Sequence, residues 1–302
     1  DSANLKGDHF VGKYYVEFSN HYRSQMQKAI DAGMDVKEAK VSVPIYKQAQ
    51  DMLQKWESND KATRALWQKM NNWVYSGFDV TYKRLGIAFD KNYYESDTYL
   101  QGKAMVEQGL AAGYFYSKPD GSIWADLSAD GLDHKLLLRS DGTCVYITQD
   151  LATALMRYQD YKFNKMIYTV ANEQDYHFKV LFKVLAKAGY KWVEYMQHLS
   201  YGIVLLPSGR MKSREGSVVD ADDLLDAMEA KAKDKSEDLG KNLHMSDDEA
   251  KLLYCNVAKA ALCYWILKID AKKDMTFDTD ESITFTGNTG PFIQYAYARI
   301  QS

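Results

Sequence analysis

Three residues of this sequence have types and spacing that suit one chemical task. Asp150 stands at the end of an apolar run, Val145-Tyr146-Ile147-Thr148-Gln149-Asp150. Read as a strand passing into a helix, the run gives Asp150 two uses: capping the helix or anchoring a cationic substrate group. Tyr146 lies two alternations earlier and faces the same side of such a strand. Gln174 sits at the matching end of the next apolar run, in Asn172-Glu173-Gln174-Asp175, and adds a directional amide. A carboxylate, a phenol and an amide suit a guanidinium; a phosphate would be repelled by the carboxylate.

A second set is cationic. The loop Pro207-Ser208-Gly209-Arg210-Met211-Lys212-Ser213-Arg214-Glu215-Gly216 places three cations between two glycines, with Glu215 offsetting part of the charge. It reads either as a solvated turn or as a clamp for charge developing on transferring phosphates. His177 and His198 read as hydrogen-bonded core histidines rather than ligands. No HxGH, HExxH, GxxxxGK[ST] or GxGxxG string occurs, which disfavours a P-loop enzyme and a zincin.

Something must position these groups. Residues 143–148, 165–171 and 192–199 read as apolar strands, separated by helices over 150–160 and 176–188, the second stopped at Gly189. That alternation predicts an α/β, Rossmann-like parallel sheet with right-handed crossovers. Ligands bind such sheets beyond the carboxyl ends of the strands, here 148–150, 171–175 and 200–202. Upstream, Ile87–Asp90 reads as a short strand. The turns Lys118-Pro119-Asp120-Gly121 and Ser140-Asp141-Gly142 mark a small antiparallel insertion over 114–139. Phe10, Tyr14, Phe18, Tyr22, Met26 and Ile30 recur every fourth residue as one face of a helix, and a second helix follows around 65–77. The polar run 31–40 reads as a loop between them. After the cationic loop comes an acidic helix from about Asp220, then a second opening on the capping box Ser246-Asp247-Asp248-Glu249. The organisation expected is a helical layer over 1–85, a catalytic core over 86–219 and helices over 220–302.

Composition is that of a globular protein: 46% hydrophobic and 26% charged residues in 302. A net charge of -3 is not the footprint of a dedicated nucleic-acid binder, so any basic surface for RNA is local or lies on segments beyond these 302 residues. No apolar stretch is long enough for a membrane span, and the first residues lack the pattern of a signal peptide. The chain starts at Asp1 rather than Met, which points to a beginning inside a longer protein. Cys144, Cys255 and Cys263 are an odd set without CxxC spacing and read as reduced structural thiols.

Several of these segments together resemble the arginyl branch of the class I aminoacyl-tRNA synthetases. Arg210-Met211-Lys212-Ser213-Arg214, continued by Glu215-Gly216-Ser217-Val218-Val219, is similar to the KMSKS loop. The Tyr146–Asp150 and Asn172–Asp175 segments resemble two strand-end motifs whose Tyr, Asp and Gln contact substrate arginine. Phe89-Asp90 with Glu95-Ser96 resembles a segment bearing a further substrate-binding acid, here Glu95. Gly287-Asn288-Thr289-Gly290-Pro291, then Gln294-Tyr295 and Ala298-Arg299, resembles the entry to the helical anticodon-binding domain. The likeness is good over about 77–302 and weak before. It implies ATP-dependent activation of arginine, transfer to tRNA(Arg) and magnesium accompanying ATP; no metal-ligand set can be read among the residues, and the expected location is cytoplasmic. It assigns Arg210, Met211, Lys212, Ser213 and Arg214 to the phosphates, and Glu95, Tyr146, Asp150 and Gln174 to arginine. Two features depart from it: the HIGH motif would precede Asp1, and Arg210 and Lys212 replace the usual Lys and Ser. The 302 residues by themselves are therefore expected to be nearly inert in adenylate formation. Two other readings stand beside this one. One is a different class I synthetase or nucleotidyl-transferring Rossmann enzyme; the acids at 95 and 150 speak against neutral substrates. The other is a non-catalytic binding protein on a synthetase-like core.

Overall fold

The computed structural model describes residues 5–205, 220–238 and 245–302, without the side chains of Tyr99 and Thr279. In chain order the helices α1 (Gly7–Asp31), α2 (Val36–Ser42), α3 (Pro44–Glu57) and α4 (Lys61–Leu85) come first. Then follow α5 (Glu95–Ala111), strands β1 (Tyr116–Ser117), β2 (Ile123–Ala125) and β3 (Lys135–Leu138), α6 (Tyr146–Tyr161), β4 (Met166–Ala171), α7 (Asp175–Lys187), β5 (Met196–Tyr201) and β6 (Val204–Leu205). The rest is α8 (Ala221–Asp238), α9 (Asp247–Leu267), β7 (Met275–Thr276), α10 (Thr279–Ser282) and α11 (Gly290–Gln301). The loop 207–216, with Arg210, Met211, Lys212, Ser213 and Arg214, lies outside the described residues.

The chain divides into two compact units. One holds the described residues of 1–88, 206–265 and 277–302, so the first and last thirds of the sequence share it. Here α1 lies against α4, where Gly7 admits the backbone of Trp73 and Gly77 admits the Asp8 carboxylate. Phe10 packs edge-on to Trp73 with ring centres 5.6 Å apart. The α3–α4 corner is closed by Arg64, whose guanidinium sits 3.7 Å from the Trp56 ring centre and whose Nε donates to the Trp56 carbonyl at 2.8 Å. Ser246 and Glu249 form the expected capping box, with the Ser246 amide 2.9 Å from Glu249 Oε2.

Asp222, at the start of α8, is the polar centre of this unit. It accepts from Lys6 Nζ, from Thr81 Oγ1 at 2.9 Å and from Arg84 Nη1 at 3.1 Å, and its side chain is 11% exposed. Burial alone would raise this carboxyl; the bonds from Lys6 and Thr81 outweigh it and hold it below the usual carboxylate range. A depressed folded value stabilises above the unfolded value of about 4 and fades as pH falls through the lower folded one. Asp222→Asn is therefore expected to cost roughly 2 kcal/mol at pH 7, since it strands Lys6 and Arg84. Thermal melts should show the gap to the parent protein narrowing towards pH 3.

The other unit, residues 89–205 and 266–276, holds the sheets. Its core gathers Val106 of α5, Leu137 of β3, Ile147 and Leu151 of α6, and Leu181 and Val184 of α7. The antiparallel insertion is present as β1-β2-β3. β4 and β5 pair in parallel, from Met166↔Met196 to Ala171↔Tyr201, and α7 connects them. β6 and β7 form a second parallel pair.

Five local expectations need correction. No strand runs over 143–148: α6 begins at Tyr146, and only an isolated bridge, Leu138↔Cys144, precedes it. The β-branched run Val145, Ile147, Thr148 mimics a strand, but Thr148 Oγ1 accepts from the Val145 amide at 3.2 Å and donates to the Leu137 carbonyl, tying down a helical first turn. Among the described residues the β4–β5 sheet has two strands, not three. Residues 87–90 are irregular, because α4 ends on Gly86 in the left-handed region and Ile87 folds back to bond the Tyr82 carbonyl. Residues 191–195 form a 3-10 turn and β5 starts only at Met196. Within the run 31–40, Asp35 caps α2 by accepting from the amides of Lys37 and Glu38, so the loop is only four residues long, 32–35.

Candidate active site

α6 carries the first two candidate residues. Tyr146 is its first residue and 81% exposed; Asp150 is its fifth, one turn on, with a side chain 43% exposed. They share a face because residues four apart do so on a helix, not because of strand alternation. The capping role weighed for Asp150 falls away, since Val145 occupies that position. Gln174 is exposed and ends the 3-10 turn 172–174, which links the carboxyl end of β4 to α7. Glu95 is exposed at the first position of α5. Among the described residues no side chain of the four hydrogen-bonds the side chain of another.

What the fold joins instead is Asp150 and His177. His177 lies in the first turn of α7, and its Nε2 is 2.7 Å from Asp150 Oδ2. The β4–α7 junction thus delivers a nitrogen to the acid on α6, just beyond the paired ends Ala171 and Tyr201. This is where an open parallel sheet presents ligands. His177 reads from sequence as a core histidine; its position three residues after Gln174 is the signal that links it to the site. His198 behaves as expected of a core residue, with Nε2 bonded to the Val170 carbonyl at 2.9 Å.

A second cluster lies further along α6. Arg157, seven residues after Asp150, stands 5.3 Å from the ring centres of both Tyr93 and Tyr168. Tyr93 donates to Asp160 Oδ2 at 2.5 Å, and Lys91 pairs with the same carboxylate. Burial pushes the Tyr168 phenol up to about 12, against the pull of Arg157. This cluster straps the segment leading to Glu95 onto α6 and went unread in the sequence, since its members are separated by up to 77 residues. Gly102 of α5 meets the Thr148 backbone, so α5 runs antiparallel along α6, with Glu95 towards the Arg157 end and Tyr146 at the other. At 1.5 Å per residue, Asp150 and Arg157 are roughly 10 Å apart along the axis.

Asp8, His9 and Asp222 lie within 4.8 Å of one another, a spacing that could suit a metal. They do not fit one: Lys6 bonds both carboxylates and Arg84 bonds Asp222, so the charge is already met.

Over residues 12–279 the chain matches the family described as tRNA synthetases class I (R), catalytic domain. It belongs to the class I arginyl-tRNA synthetase family. The arginine–tRNA ligase of Bacteroides fragilis is 56% identical over 302 residues, covering 100% of this chain and 51% of that protein. The arginine–tRNA ligase of Flavobacterium psychrophilum is 54% identical over 303 residues, covering 100% and 50%. The chain thus spans about half the length of the arginyl-tRNA synthetases it matches. Arginyl-tRNA synthetase structures share its fold: that from Plasmodium falciparum superposes with a TM-score of 0.69 at 20% identity, covering 95% of this chain and 48% of that one. The Thermus thermophilus enzyme gives 0.69 at 23% identity, covering 94% and 54%. These neighbours bear out the α/β architecture, even though its first expected strand is helix.

Proposed function

We propose that this chain forms the arginine-activating part of an arginine–tRNA ligase. The observation that carries the reading is Asp150, half-exposed beyond the sheet, with one oxygen held by His177 and the other open. A carboxylate in that state is matched to the planar fork of a guanidinium. Tyr146 on the same face and Gln174 on the adjoining turn supply hydrogen bonds, and Glu95 a second negative charge for the amino-acid's cationic groups. High identity to arginine–tRNA ligases along the whole chain supports the same assignment.

The reaction has two steps. The carboxylate of arginine attacks the α-phosphorus of ATP, forming the mixed anhydride arginyl-adenylate and expelling pyrophosphate. A hydroxyl of the terminal tRNA(Arg) ribose then attacks the anhydride carbonyl, and AMP leaves. Arg210, Lys212 and Arg214, held in sequence by Met211 and Ser213, are assigned the charge that develops on the phosphates, catalysis of the positioning and electrostatic kind. Magnesium enters with ATP. The setting proposed is the cytoplasm; no described helix is long and apolar enough to cross a membrane.

The test is a thermal-shift screen of the twenty amino acids, followed by ATP–pyrophosphate exchange with tRNA at the full length of the relatives. Arginine alone should raise the melting temperature and drive exchange. A response to a neutral amino acid, or to none, overturns the assignment.

A further inference from the structure

We infer that His177 is a positioning residue that sets the plane of the Asp150 carboxylate and so tunes selection of arginine over other cationic amino acids. The inference rests on the reading of Asp150 as the guanidinium partner. A carboxylate on a helix surface can swing about two side-chain torsions, and bidentate pairing requires its plane to be set before the fork arrives. His177 Nε2–H donates to Oδ2 at 2.7 Å and, among the described residues, is the one hydrogen-bond partner of the Asp150 side chain. A carboxylate offers about four lone-pair sites, so one bond to Oδ2 leaves both oxygens able to accept from the fork.

The histidine is itself held. Its ring stands edge-on to that of Phe178, centres 5.7 Å apart and planes at 85°. Phe178 is buried and packed between Tyr168, at 4.8 Å, and His198, at 4.3 Å. The ring of His177 is thus seated on the aromatic layer that covers β4 and β5, and the layer transmits its rigidity to the half-exposed acid. A lysine ammonium is a point charge that accepts any carboxylate orientation, whereas the guanidinium fork does not. Loss of His177 should therefore penalise arginine more than lysine or ornithine.

The experiment compares His177→Leu, which keeps bulk without the donor, His177→Gln, which keeps an N–H near the Nε2 position, and Asp150→Asn. Each is made at the full length of the relatives and assayed by ATP–pyrophosphate exchange with tRNA. His177→Leu should raise KM for arginine roughly tenfold, the scale of one charge-assisted hydrogen bond, with kcat within about twofold. His177→Gln should recover most of that loss, and competition by lysine should strengthen only in the Leu variant. Adding His177→Leu to Asp150→Asn should raise KM no further, as residues acting through one another do. An unchanged KM in Asp150→Asn would sink the arginine reading itself. A raised KM in Asp150→Asn with a normal one in His177→Leu would overturn the role of His177 alone. So would equal losses in the Leu and Gln variants accompanied by lower melting temperatures, since packing would then be the cause.

Discussion

Asp150→Ala is expected to weaken arginine binding by roughly 2–5 kcal/mol, the range for removing one partner of a hydrogen-bonded charge pair. The side chain is 43% exposed, so water compensates part of the loss and the lower end of the range applies. That still amounts to about thirtyfold in affinity. On the proposed reading ATP affinity should be unaffected, because an acid assigned to the amino acid would repel phosphate. Isothermal titration of arginine and of ATP against parent and variant separates the two effects. Equal arginine affinities would remove Asp150 from the site, and a matching loss in ATP affinity would point to a collapsed fold.

The second large effect concerns Gly102, in the middle of α5. Glycine to alanine inside an exposed helix ordinarily stabilises by about 1 kcal/mol. At Gly102 the sign should reverse. A Cβ there would run into the carbonyl of Thr148, in the first turn of α6, and a backbone group cannot swing aside. Gly102→Ala should then cost roughly 2–3 kcal/mol through overpacking, and shift the turn that presents Tyr146 and Asp150. Gly12 in α1 is the control, since a Cβ there meets nothing within 4 Å. Chemical denaturation should find Gly12→Ala at least as stable as the parent and Gly102→Ala well below it. Two variants of equal stability would mean that the close α5–α6 approach does not persist in solution.

Much about this protein was legible in the chain itself. The every-fourth-residue stripe of α1, the Ser246–Glu249 box, the Pro119 turn and the Gly189 stop are local signals, read within one or two turns of backbone, and the structure bears them out. The resemblance rested on ordered motifs and needed no coordinates; it reached the family that the comparisons support. The tertiary structure decided what local preference could not. Val145, Ile147 and Thr148 favour a strand by type, yet they are coil and helix. The close approach of α5 at Gly102 and the Thr148 bond to Leu137 outweigh propensities worth a few tenths of a kcal/mol each. Irregular segments such as 87–90 look like strands wherever short apolar runs lack a partner to pair with. The partner of Asp150 was equally hidden. His177 is 27 residues away, and only the β4–α7 crossover, closed by burial of Phe178 and Val180, brings its nitrogen to the carboxylate. Residue types thus named the chemistry, while long-range packing, which sequence spacing does not encode, chose which groups would meet.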